Sequence, residues 1–191
     1  MILRIIFGFL LLALPTFAAE PLTRQALIDI ANAKPGEKPT IKELEVLPFA
    51  ARWEERTIWT YFDGDEEKEK YLGGDHWSAD GRFHVSRVTH VNGVLQLEEE
   101  QSINLITYDA EQKMFMAYLV YPDDLIVAEG IYAAAKKTLT IEGKSTDSNT
   151  AILCTMQIKD GNKSASNVDL YVDGERLATA RSRAGPINEA K

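Results

Sequence analysis

The sequence predicts a mainly β protein: an antiparallel up-and-down barrel of about ten strands, preceded by one or two short helices. Two observations carry this expectation. From Arg52 onward the apolar residues recur every second position rather than at the helical period. Turn signals built from Gly, Asn and Asp then return roughly every 8–12 residues, with no long crossover between strands. Closing such a sheet on itself removes its exposed edges, which favours a barrel over an open sandwich.

Residues 1–18 read as a cleavable export signal. Arg4 supplies a positive charge, Ile5 to Leu14 form an apolar core, and Pro15 breaks it before Thr16-Phe17-Ala18. The apolar core is shorter than the ~20 residues a spanning helix needs. Cleavage would leave an exported protein, periplasmic or extracellular, with no membrane span. Loss of Arg4 leaves 20 basic against 29 acidic residues, a net charge of −9. An acidic surface repels phosphate backbones, so nucleic acid and anionic membranes are not expected partners. The single cysteine, Cys154, cannot form an internal disulfide, and its apolar neighbours make it a buried filler.

Residues 19–40 form a helix and a linker. Thr23 caps a helix over Arg24–Ala33, and Lys34-Pro35-Gly36-Glu37-Lys38-Pro39 punctuates the chain. Thr40 and Glu43 form a capping box for a second short helix that ends near Pro48. The barrel domain spans 41–183. Its strands are expected at Arg52–Phe62, Lys70–Ala79, Arg82–Val91, Gln96–Tyr108, Lys113–Tyr121, Leu125–Tyr132, Thr138–Gly143, Ala151–Lys159, Asn167–Val172 and Glu175–Ser182. Asp80-Gly81, Asn92-Gly93 and Asp173-Gly174 are the sharpest hairpin signals. Residues 184–191 are expected to be a flexible tail.

The spacing of the three histidines argues against a metal centre. His84 and His90 share a strand face about 20 Å apart, given the rise per residue of an extended strand. A turn at Asp80-Gly81 pairs His76 with Val85, which sends His76 and His84 to opposite faces. Each histidine is then read as a surface strand residue. Asp63, Asp65, Glu66 and Glu67 lack the spacing of a calcium loop. No nucleophile elbow or phosphate loop occurs. No catalytic residue, metal or cofactor is expected.

One pattern points to a site. Arg87 shares a face with Phe83 and Val85, Glu99 with Leu95 and Leu97, and Glu129 with Leu125, Val127 and Ile131. Charges on apolar faces are costly unless paired. Either the alternation slips at a bulge and the charges reach solvent, or they line the lumen and hold the polar end of a ligand. In the second case Trp53, Trp59 and Tyr61 form the apolar wall, and Arg87, Glu99 and Glu129 are the anchors.

The chain also resembles a known family. Trp53 opens the first strand, and Gly81-Arg82-Phe83, Tyr108-Asp109, Lys113 to Tyr118, Glu129-Gly130 and Lys137-Thr138-Leu139-Thr140 follow in order. This succession resembles the bacterial domain of unknown function 1579, over residues 41 to 183. The resemblance implies a calycin or lipocalin-like barrel and brings no activity. Ala51 stands where that family usually has a glycine. The chain resembles more distantly the haem-binding nitrobindins, whose opening Gly-x-Trp-x-Gly motif is missing here.

The leading functional expectation is an exported lipocalin-like module binding a small, largely apolar or amphipathic ligand. A cell-envelope protein-interaction module with a filled barrel is the alternative, and an enzyme of unknown reaction comes third.

Overall fold

The computed structural model describes residues 22–91 and 98–187. The expected signal segment and the Asn92-Gly93 turn lie outside the described residues. Helix α1 (Arg24–Asn32) and a 3₁₀ helix (Lys42–Val46) precede ten strands. These are β1 (Trp53–Tyr61), β2 (Glu66–Trp77), β3 (His84–Val91), β4 (Glu98–Asp109) and β5 (Met114–Val120). They continue with β6 (Leu125–Ala133), β7 (Thr138–Ser145), β8 (Thr150–Lys159), β9 (Lys163–Val172) and β10 (Glu175–Pro186). Each strand pairs antiparallel with its sequence neighbours, and β10 returns to pair with β1, closing the barrel.

The turns explain the meander. At Asp173-Gly174 both residues have positive φ (53° and 82°), which matches the twist of a two-residue hairpin joining β9 to β10. Asp80 accepts from its own loop, taking Ser78 Oγ (2.6 Å) and Arg82 N (3.0 Å) on one carboxylate oxygen. The register that follows pairs His76 with Val85, as the sequence predicts.

Several boundaries differ from the expected ones. Strand β2 begins at Glu66 rather than Lys70, because Glu66-Glu67-Lys68 lies at the barrel rim, where charged side chains reach solvent from a strand. Strand β9 begins at Lys163 rather than Asn167. The segment Ser164-Ala165-Ser166 lacks apolar alternation, yet its backbone pairs on both sides. Residues 184–186, expected in the tail, extend β10 and pair with Trp53–Glu55.

Among the described residues, two apolar clusters hold the structure. The first lies outside the barrel wall: α1 lays Leu27 and Ala31 onto Val85, Ile103, Leu105, Val120 and Leu125. Thr23 caps this helix as expected, its hydroxyl accepting from Ala26 N at 3.2 Å. The second closes one end of the barrel, where Leu44 and Leu47 insert between Trp77, Phe115, Leu139 and Ile141. The expected capping box does not form. Ile41 occupies the cap position with no side-chain cap bond. Thr40 is pinned to the β2–β3 turn instead, through its N to Gly81 O (2.9 Å) and its hydroxyl to Asp80 O (3.0 Å).

Candidate functional site: the barrel lumen

Side chains alternate across every strand, so one face of each lines the interior. On β1 that face carries Trp53, Glu55, Thr57 and Trp59; on β2, Tyr71 and Asp75; on β3, His84, Ser86 and Val88. They border a cavity of about 570 Å³. The opposite wall is largely apolar, with Leu119, Ile126, Ile141, Ile152, Met156 and Val168. Serines of β9 and β10 (Ser164, Ser166, Ser182) complete the lining with small polar side chains. The interior is amphipathic and of a size that small-molecule sites commonly have.

The aromatic wall is held by carboxylates. Trp53 Nε1 donates to Asp75 Oδ1 at 2.9 Å, and Trp59 Nε1 donates to Glu69 Oε2 at 2.7 Å. Tyr71 donates its hydroxyl to the same Glu69 oxygen. The Trp53 indole reaches Asp75 by lying across Gly73, where a Cβ would stand only 2.2 Å from Trp53 Cζ2. Glycine at this position is a requirement of close approach. The other Asp75 oxygen accepts from Ala50 N at 2.9 Å, which ties the segment closing the barrel end to its wall.

Electrostatics divide these groups. Burial would raise the Asp75 carboxyl, but the adjacent His84 and the donors around it hold it below its ordinary value of 3.8. His84 Nε2 stands 3.8 Å from Asp75 Oδ2. Its ring packs against Trp77 and Phe49, and neither ring nitrogen has a hydrogen-bond partner. Burial and the Glu69 hydrogen bond push the Tyr71 hydroxyl well up, so it remains a donor at neutral pH. Burial, followed by the charge of Glu55, pushes the Cys154 thiol up to about 11. Cys154 faces the cavity as an apolar lining group.

The sequence-predicted site residues divide between the two faces of the wall. Trp53 and Trp59 line the cavity as expected. Tyr61 continues their face at the rim and donates to Glu67 Oε2 at 3.0 Å. Arg87 does not face the lumen. It shares the outer face with Phe83 and Val85, the face that α1 covers, and its guanidinium donates to Asn32 Oδ1 and to Ala31 O (3.5 Å) at the helix end. Glu129 is exposed on the outer wall, opposite Glu142 in register. Glu99 pairs with His90, and its side chain lies outside the described residues. On β3 and β6 the residues grouped as one apolar face do share a face, and that face is the outer one. There α1 packs over Phe83, Val85, Leu125 and Val127 and leaves Glu129 and Ile131 exposed, while Leu95 and Leu97 lie outside the described residues. A bulge does interrupt the alternation, between Val88 and Thr89, where Gln101 has no opposite partner.

The surface reading of the histidines needs correction. His84 is 6% exposed. His76 lies beneath the end of α1 with Nε2 3.2 Å from Ala31 O. His90 Nε2 is 3.7 Å from Glu69 Oε1. His76 and His84 do take opposite faces, as the predicted register requires. Among the described residues no group of three or more His, Cys, Asp or Glu is placed to hold a metal ion.

Asp75, Glu55, Glu69 and Tyr71 were not singled out in the sequence, and His84 was read there only as a surface residue. The signal for Glu55 was the alternation that sets it between Trp53 and Thr57. That for Asp75 and His84 was the hairpin register, which puts His84 opposite Trp77 with Asp75 two residues away.

No family model matches the chain, and no curated protein matches it. Among solved structures it is similar to the S-type phycobiliprotein lyase from Guillardia theta, with a TM-score of 0.54 and 9% identity. The match covers 80% of this chain and 100% of the lyase. The fold is lipocalin-like. At that identity the likeness speaks for the barrel alone.

Proposed function

We propose that the protein is an exported binding module that holds a small, largely apolar ligand inside its barrel. The observation that supports this reading is the cavity of about 570 Å³ between the Trp53–Trp59 wall and the apolar side chains of β5 to β9. A barrel serving only as an interaction scaffold gains packing by filling its lumen. Here glycine, alanine and serine face inward at several positions, and space is kept. The solved lyase has the same architecture, which agrees with a ligand-holding barrel. Export rests on residues 1–18; N-terminal sequencing of the secreted protein should begin at Ala19 or Glu20. The resemblance to domain of unknown function 1579 belongs to this proposal and adds no activity to it.

The test is titration with an uncharged fluorescent probe, N-phenyl-1-naphthylamine. The parent should bind it saturably with quenching of tryptophan emission. Ser166→Phe, which places a ring in the lumen, should abolish binding without lowering the melting temperature. A parent that binds no probe, or a Ser166→Phe variant that binds as well, would sink the pocket reading.

A further inference from the structure

Resting on that pocket reading, we infer that the cavity selects a ligand whose polar end is a cation with N–H donors, such as a protonated primary amine on an apolar body. Three features of the lining carry this. First, its charged groups are of one sign. Glu55, Asp75 and Asp124 border the cavity, while no lysine or arginine does among the described residues.

Second, the indole donors of the aromatic wall and the Tyr71 hydroxyl are already engaged. Trp53 Nε1 is committed to Asp75, and Trp59 Nε1 and the Tyr71 hydroxyl to Glu69. A carboxylate ligand would therefore meet negative charge with only neutral hydroxyls and the amides of Asn104 and Asn162 to accept from, and burying an uncompensated charge is costly.

Third, acceptors are left over. Asn104 Oδ1 is buried without a donor. His84, 6% exposed and bordering the cavity, leaves both ring nitrogens without a hydrogen-bond partner, of which at most one can accept. An incoming N–H group supplies what this lining lacks, and the faces of Trp53 and Trp59 attract a cation further.

The experiment compares three ligands of equal chain length by calorimetry near neutral pH: decylammonium, decanol and decanoate. Decylammonium should bind at least about tenfold more tightly than decanoate, with decanol between them, since one carboxylate contact is worth roughly that factor. Glu55→Gln keeps an oxygen to accept from Thr57 Oγ1 (2.9 Å in the parent) and should narrow the preference for decylammonium over decanoate severalfold. Decanoate binding as tightly as decylammonium would overturn this inference and leave the pocket reading standing. A parental preference untouched by Glu55→Gln in a variant that melts like the parent would also overturn it. Failure of decanol and the naphthylamine probe to bind would instead remove the pocket itself.

Discussion

The Trp53 indole lies across Gly73 and donates to Asp75 at 2.9 Å, so a side chain from β1 is fastened to the next-but-one residue of β2 through a gap that only glycine leaves. The same carboxylate holds Ala50 N, 7% of its side-chain surface remaining exposed. One buried acid thus joins the aromatic wall of the cavity to the segment that closes the barrel.

Replacing that acid should be costly. Asp75→Ala leaves the indole N–H and the Ala50 N–H without acceptors, each worth about 1–3 kcal/mol when buried. Asp75→Asn keeps one acceptor but points an amide at a donor, and should recover only part of the loss. Denaturant unfolding decides the matter: a midpoint change within the range of a surface substitution, about 0.5 kcal/mol, would contradict the clamp.

Arg87 should behave as a helix-end residue. Its guanidinium meets the last turn of α1 from the outer face of β3. Arg87→Met should cost about 1 kcal/mol through the lost contact with the helix carbonyl end, rather than the larger cost of stranding a buried carboxylate. Binding of the naphthylamine probe should be unchanged. Loss of probe binding in a folded Arg87→Met variant would return Arg87 to the lumen.

His76 should make stability depend on pH. Burial lowers its pKa below the ordinary 6.5; the Ala31 carbonyl opposes this, and the nearby Arg87 charge reinforces it. The unfolded chain then binds the proton more readily than the folded one. The contribution to stability is present above the unfolded value and is lost as pH falls through the lower folded value. Unfolding midpoints near pH 5 and near pH 7.5 should differ, and His76→Gln should reduce the difference. An unchanged pH slope in that variant would contradict the assignment. Asp75, also lowered, loses its contribution only at more acidic pH, below its ordinary 3.8.

Cys154 should report on occupancy. With the thiol near 11, about one molecule in a thousand carries the thiolate at pH 8. Alkylation by iodoacetamide should be slow in the folded protein, fast once unfolded, and slower still with decanol bound. Reaction at the rate of a free thiol would place the sulfur outside the cavity wall.

The strand alternation and turn residues by themselves determined the ten-strand meander, because period and turn chemistry are local properties. They also set the β2–β3 register, since a turn of known length counts residues outward on both strands. The alternation put Phe83, Val85 and Arg87 on one face, and Leu125, Val127 and Glu129 on one face. Which face was inside was decided only by tertiary structure. An apolar strand face is the same sequence pattern whether it borders a lumen or lies beneath a helix, and α1 buries the outer wall at β3 to β6. The lumen accordingly holds the more polar set, Glu55, Asp75, His84 and the serines of β9 and β10, around an open cavity, with hydrogen bonds to Asp75, Glu55 and Ser182. Thr57 and Ser182, whose hydroxyls meet at 2.7 Å, are far apart in sequence, and only closure of β10 onto β1 brings them together.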